Sequence, residues 1–394
     1  MLARIPLVRK VRFGMVGGGE GAFIGAVHRA AATLGQEYVL VCGAFASDAA
    51  RSRQTGVALD LPPERCYADF DSMFAAEAKL PADERMEFVA IVTQNNLHLA
   101  VASAAFRHGF HVLSDKPATT TLAECFELRN AQKASGCLYG LTHPYASYPL
   151  VIEAAERVRA GALGTIRKVI VEYTQGWLAE PIERRGQKQA IWRLDPKRAG
   201  LSSCMGDIGV HAFHLAEFVT NLNTVELCAD LNSIVAGREL DDDGAAFLRF
   251  DNGARGVLVA SQICTGDEND LRLRVYGDAA SLDWRQEEPN SLWLKHAHKP
   301  IELIRSGGTN FGAAARAHSR LPAGHPEGYL EAFANVYRNF AAQVRSHGSS
   351  NNGGPTPRPV PGIKAALRGM AFIETVVAAS KSAQKWHAFP SVTD

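Results

Sequence analysis

Asp207 and His211, in Gly206-Asp207-Ile208-Gly209-Val210-His211, are the first candidates for chemistry in this chain. On a helix, residues four apart project from one face, here near the first turn. A histidine held by a hydrogen bond is suited to take the proton from an alcohol as hydride leaves the same carbon, because its ordinary pKa lies near working pH. The plainer reading makes Asp207 an N-cap and His211 a core histidine. His214 adds an imidazole three residues on, but no third ligand stands at a fixed spacing, so no metal site is expected. Lys116 is the second candidate, in Asp115-Lys116-Pro117 directly after the apolar run His111–Ser114. A partly desolvated lysine at a strand end titrates lower than usual and can hydrogen-bond a substrate hydroxyl. The same tripeptide also reads as a polar turn whose proline stops the strand.

These side chains need a scaffold, and the sequence supplies its first piece near the N-terminus. An apolar strand from Val11 runs into Gly17-Gly18-Gly19-Glu20-Gly21 and then into a helix beginning near Phe23. Glycines let backbone N–H groups approach a pyrophosphate without a Cβ in the way, and the helix N-terminus supplies partial positive charge. Gly17, Gly19 and Ala22 satisfy the fingerprint spacing in register. Gly17, Gly19 and Gly25, with a three-residue insertion, satisfy it too and leave Phe23 to His28 as an uninterrupted helix start. At the end of the second strand, Tyr38 to Phe45, stand Ser47, Asp48 and Arg51. Hydroxyl and arginine suit a 2′-phosphate, so NAD and NADP both remain open. Alternatively, Asp48 is an N-cap and the arginines form a solvated face.

Further strand and helix signals alternate through the first third. Strands are expected at Met86–Thr93, His111–Ser114 and Cys137–Leu141, with helices over 48–56, 97–108 and 122–135. Repeated βα units of this length imply a doubly wound parallel sheet. After residue 143 the pattern changes to a helix over 150–160 and strand-like runs from Ile166 to Leu294 with hairpin turns such as Asp251-Asn252-Gly253, which predicts an open, largely antiparallel sheet. Two amphipathic helices, 326–346 and 363–383, flank a Gly/Pro/Asn/Ser-rich loop over 347–362 and should pack on a domain body through Ile363, Leu367, Met370, Ile373 and Val377. The expected fold class is therefore α/β, with a Rossmann domain over 1–143 and a substrate-binding and oligomerisation domain over 144–394.

With 394 residues, a formal charge of +1 and 46% hydrophobic residues, the chain has the composition of an ordinary two-domain globular protein. No basic run is interleaved with aromatics, so nucleic acid is not an expected partner. Neither a run of roughly 20 apolar residues nor a signal-peptide core is evident, so no membrane association and a cytoplasmic location are expected. The seven cysteines are scattered singly, as reduced thiols are.

Taken in order, the glycine cluster, Asp115-Lys116-Pro117 and Gly206–His211 resemble the Gfo/Idh/MocA oxidoreductases, named for glucose-fructose oxidoreductase, inositol dehydrogenase and rhizopine catabolism. Asp115 departs conservatively from that family's glutamate. The resemblance implies that Lys116 orients nicotinamide and substrate, Asp207 supports the lysine and His211 acts as acid/base. It makes Thr93-Gln94-Asn95-Asn96-Leu97-His98 a cofactor loop, with Thr93, Asn95, His98 and Asp115 near the dinucleotide. It also places Tyr145, Trp177, Lys188, Trp192 and Arg193 at the substrate, where aromatic faces suit the C–H side of a sugar ring and the cations donate to hydroxyls. The implied activity is NAD(P)-dependent hydride transfer at a secondary alcohol or ketone of a sugar, sugar derivative or inositol. A reductase of a sugar-like ketone or diol, or a catalytically silent dinucleotide sensor, is the alternative. A homodimer or homotetramer is expected.

Overall fold

The computed structural model describes residues 9–348 and 358–392, and most of the loop expected over 347–362 lies outside them. Contacts divide the described chain into two units, residues 9–142 with Phe333–Leu367, and His143–Ala332 with residues 368–392.

The first unit is built on five parallel strands, β1 (Val11–Gly17), β2 (Tyr38–Ala44), β3 (Phe88–Val92), β4 (His111–Ser114) and β5 (Tyr139–Leu141), in the order β2-β1-β3-β4-β5. Their connections carry α1 (Phe23–Leu34), α2 (Ala49–Ala58), α3 (Phe70–Glu77), α4 (His98–Arg107) and α5 (Leu122–Ser135). Every residue of β3 is buried, as a central strand covered on both faces requires. The helix α5 begins with a capping box between Thr121 and Glu124 and ends on Gly136 in the left-handed conformation. In register, Val16 faces Ala44 and Gly17 faces Val92. The end of β1 thus lies between the ends of β2 and β3, where the strand order reverses and ligands of open α/β sheets bind.

Residues 333–346 of the long helix Tyr329–Ser346 belong to this unit, which the sequence reading did not anticipate. Their aromatic side chains cover the parallel sheet: Phe340 meets Phe88 with ring centroids 5.2 Å apart, and Tyr337 meets Tyr38 at 5.3 Å. Amphipathicity alone says that a helix must bury one face, but not against which body.

The second unit contains α6 (Pro149–Arg159), β6 (Ile166–Thr174), α7 (Lys188–Arg193), α8 (Pro196–Ala199), a π-helical turn over Met205–Gly209, and α9 (Val210–Thr220). There follow β7 (Thr224–Asn232), β8 (Asp243–Phe250), β9 (Arg255–Ser261), β10 (Asp270–Gly277), β11 (Ala280–Arg285), β12 (Ser291–His296) and β13 (Glu302–Arg305), then α10 (Ala313–Ala317), α11 (Tyr329–Ser346), α12 (Ile363–Ser380) and β14 (His387–Ala388). The nine strands run β13-β12-β11-β10-β6-β9-β8-β7-β14, and all neighbours are antiparallel except β6 and β9. Alternation sorts the residues by face. Val169, Val171 and Tyr173 of β6 are buried, as are Leu271, Leu273 and Val275 of β10. On the other face one row crosses the sheet through Phe247, Val257, Ile170, Arg274, Asp283, Trp293 and Leu303. Within it Phe247 is 57% exposed and Trp293 41%. From Arg368 onward α12 belongs to this unit, where Phe372 stacks on Phe213 at 4.4 Å. Of its expected stripe, Leu367, Met370 and Ile373 are buried, whereas Ile363 and Val377 are only partly covered and Val376 is buried instead.

Candidate functional site

In the first unit the glycine loop forms at the end of β1. Gly17, Gly18 and Gly21 have φ of 83°, 70° and 78°, a region that favours glycine. A Cβ on Gly19 would come within 2.7 Å of the Phe45 carbonyl oxygen. One on Gly25 would come within 2.3 Å of the Gly18 Cα, so Gly25 is the residue that lets the helix pack against the loop. Of the two spacings the sequence allows, Gly17-Gly19-Gly25 is therefore the one carried by close approach. The helix α1 starts at Phe23 with no side-chain cap and no acidic residue in its first turn, leaving its N-terminus suited to an anion.

The surrounding residues divide into those that face outward and those committed to the fold. Ser47 and Arg51 are exposed beyond β2, and Asp48 caps α2, accepting the Arg51 N–H at 2.8 Å. His98 is 1% exposed, with Nδ1 2.8 Å from the Pro117 carbonyl oxygen and Nε2 3.2 Å from that of Thr93. Burial pushes its pKa down, while the two carbonyl oxygens beside its ring nitrogens favour the protonated form, and the ring packs between the Thr93 loop and the Lys116–Pro117 turn. His98, expected near the cofactor, thus has both ring nitrogens against backbone of the two loops. Asn95 is buried, and the Thr93 side chain is partly covered. Asp115 is likewise occupied: its Oδ1 accepts the Lys116 N–H at 3.0 Å and the Thr142 hydroxyl at 2.6 Å. That carboxylate fixes the turn from which partly buried Lys116 projects.

In the second unit Asp207 lies in the π-helical turn and His211 at the start of α9, which keeps them one turn apart. The Asp207 carboxylate accepts from Gln262 Nε2 at 3.0 Å and lies 3.3 Å from Arg193 Nε. Asp207 is thus not a side-chain N-cap of its helix. The segment leading into the turn is anchored by Asp241, which accepts from the Ser202 hydroxyl and the backbone N–H groups of Ser203 and Met205. Arg193 packs against aromatics, its guanidinium 4.3 Å from the Trp192 ring centre and 6.0 Å from that of Trp177. His211 is 7% exposed, with its Nδ1 3.3 Å from that of His143 and the Tyr145 ring 4.9 Å away. The Tyr145 hydroxyl is tied to Tyr173 at 2.6 Å and to Asn269 Nδ2 at 3.3 Å. Burial raises the pKa of both phenols, so they serve as neutral hydrogen-bonding groups.

A glycine loop in one unit and a buried histidine one turn from an aspartate in the other raise the question of kinship. Residues 11–143 match the model of the oxidoreductase family with an NAD-binding Rossmann fold, and residues 151–283 match the Gfo/Idh/MocA C-terminal domain. Along 97% of both chains, the sequence is 31% identical to the uncharacterized oxidoreductase YfiI of Bacillus subtilis. The chain belongs to the Gfo/Idh/MocA oxidoreductase family. Among solved structures it resembles an inositol dehydrogenase homolog from Azotobacter vinelandii complexed with NAD+, at 34% identity and a TM-score of 0.91 over 97% of this chain and 98% of that one. The complex of that homolog with NADH and myo-inositol gives 32% identity and a TM-score of 0.88 over the same shares.

As a Gfo/Idh/MocA oxidoreductase the protein is an NAD-binding enzyme, and its glycine loop fits the cofactor, since Gly19 and Gly25 let the loop lie close against Phe45 and the start of α1. Of the residues expected at the substrate, Trp177 and Trp192 pack on Arg193, which reaches Asp207, while Tyr145 joins His211. Lys188 does not join them; it is an exposed residue at the start of α7. Sequence reasoning missed Gln262, the Asn269 and Tyr173 partners of Tyr145, and the contact of His143 with His211. Gln262 carried a faint signal, a polar residue closing the apolar run from Arg255, but nothing local pairs it with Asp207 55 residues earlier.

Proposed function

We propose that the protein oxidises, and in reverse reduces, one secondary alcohol carbon of a polyhydroxylated ring, an inositol or a sugar. The observation that carries this is the Asp207–His211 turn: a nearly buried imidazole one helical turn from a carboxylate that meets both Gln262 and Arg193. In the proposed reaction His211 takes the hydroxyl proton during oxidation, and Lys116 serves as a hydrogen-bond donor that stabilises developing negative charge on the substrate. When bound, the nicotinamide cofactor accepts or returns the hydride. The glycine loop and the α1 N-terminus would hold its pyrophosphate, with Thr93 and Asn95 beside it and Ser47, Asp48 and Arg51 toward the adenosine end. NAD is supported by the complexes of the Azotobacter homolog. The exposed Ser47 and Arg51 leave NADP as a second substrate for comparison.

An inositol or sugar is supported by the myo-inositol complex of the same homolog and by the aromatic and cationic side chains around Asp207. Following absorbance of reduced nicotinamide with a panel of inositols, pyranoses and acyclic diols tests this. Turnover of cyclic polyols is expected, and turnover restricted to acyclic alcohols would overturn it.

The open face of the nine-stranded sheet supports self-association, as a homodimer or homotetramer, through Phe247, Trp293 and Leu303. Trp293→Glu should lower the mass seen by light scattering while leaving the melting transition cooperative. Retention of the wild-type mass would assign the face another role. Among the described residues no helix is long and apolar enough to cross a membrane, and all seven cysteines are free. Reduced thiols support a cytoplasmic location.

A further inference from the structure

His143 opens the second unit and is 1% exposed, held between two histidines of α9. Its Nδ1 lies 3.3 Å from Nδ1 of His211, with the rings nearly perpendicular at 87°. On its other side it lies flat on His214, with ring centres 3.9 Å apart and planes within 6°. Two imidazole nitrogens facing each other must share one proton, because two N–H groups or two lone pairs in that place would repel. The direction of the bond then decides what the far nitrogen of His211 can do. If His143 donates, the neutral His211 carries its own proton on Nε2 and cannot accept another there. If His143 accepts, His211 carries its proton on Nδ1 and leaves Nε2 basic.

We propose that His143 is the positioning residue of the acid/base: it accepts the Nδ1–H of His211 and so makes Nε2 the nitrogen that exchanges a proton with the substrate. The inference rests on the reading of His211 as acid/base. During oxidation the substrate O–H bond breaks and a bond from Nε2 to that proton forms. His211 becomes an imidazolium whose Nδ1–H remains donated to His143, a hydrogen bond that strengthens as its donor gains charge. His143 keeps its own proton on Nε2, and no electrons move in this step. Reduction reverses it. The stack on His214 and the edge of Tyr145 against His211 restrain the two rings so that the shared bond persists through the cycle.

The experiment uses the full-length enzyme with NAD+ and its best cyclic polyol, comparing His143→Leu, His143→Asn, His143→Gln and His211→Asn. His143→Leu should lower kcat about 10- to 100-fold, as expected for losing a hydrogen bond to a group that becomes charged. KM and the NAD+ dissociation constant should stay within about twofold, because the bond matters most in the transition state. His143→Asn should recover most of kcat, since its Oδ1 stands near the place of the ring Nδ1 and can accept. His143→Gln, whose carbonyl reaches too far, should not. Where His143→Leu fails to fold, the Asn and Gln pair decides. Wild-type kcat in His143→Leu, or equal loss in the Asn and Gln variants, overturns the proposal. Activity surviving in His211→Asn would remove the acid/base reading itself, whereas an inactive His211→Asn beside a normal His143→Leu removes only the part given to His143.

Discussion

The two units hold their candidate residues in opposite ways. In the first, Gly17 to Gly25, Thr93 to His98 and Asp115 to Pro117 each follow directly on the end of a parallel strand. Their anchors are mostly local: Asp48 caps its own helix, and Asp115 binds the N–H of the next residue. In the second, each important side chain is held from far along the chain. Gln262 reaches Asp207 across 55 residues and His143 meets His211 across 68. A parallel sheet delivers its loops to one edge by topology alone, so chemistry there needs little beyond a turn. A helix lying on an antiparallel sheet receives its polar partners only from whichever strands and loops pack beside it.

The sharpest test of that contrast is His211→Asn. Turnover should fall by roughly 10²–10⁴, the range of a general acid–base group, with nucleotide binding and melting temperature preserved. Should the variant simply unfold, the polar cluster of the second unit would be packing and the contrast would collapse. Next in size, Arg193→Met and Gln262→Leu should each lower kcat/KM about 10- to 100-fold by loosening a hydrogen-bonded carboxylate. Their combination should cost less than the sum, because both grip one side chain. Full additivity in steady-state kinetics would mean that they act on separate targets.

A third test concerns acid. Burial holds His28 and His111, both in the first unit, at pKa values of about 4. Unfolded, each titrates near 6.5, so the unfolded chain gains protons first as pH falls. Stability is fully present above about pH 6.5 and drains away toward pH 4, by about 2–3 kcal/mol for each group. His28→Leu should flatten that slope in urea unfolding measured between pH 7 and 5. An unchanged slope would place the acid-sensitive group elsewhere. The smallest effect separates two glycines of one loop. Gly25→Ala, which drives a Cβ into backbone, should cost about 1–3 kcal/mol and weaken NAD+. Gly21→Ala, with open space and only the φ of 78° against it, should cost about 1–2 kcal/mol with little change in affinity. Calorimetry giving equal losses of affinity would deny Gly25 its part in shaping the cradle.

Much of the first unit was legible because its signals are local. The strand ends at Ser114 and Leu141, the helix over Leu122–Ser135 and the start of α1 at Phe23 lie where the pattern put them. The helix Phe70–Glu77 was missed, being short and of mixed composition. So were β11 and β13, which few residues mark out and only pairing with β12 defines. Asp48 caps its helix, as one of its two readings had it. The resemblance put His98 in a cofactor loop, and no local pattern marks the Pro117 and Thr93 carbonyls that its ring nitrogens meet.

By itself the sequence determined the doubly wound sheet, the glycine loop with its helix, the one-turn spacing of Asp207 and His211, and the family to which they belong. Each depends on residues within a turn or two of one another, where backbone geometry translates spacing directly into position. Tertiary structure alone decided that residues 333–346 would cover the parallel sheet of the first unit, that Gln262 and Arg193 would share Asp207, and that His143 would face His211. Those pairings come from strand register and helix packing between distant segments, and no local pattern of residue types encodes which distant segment arrives.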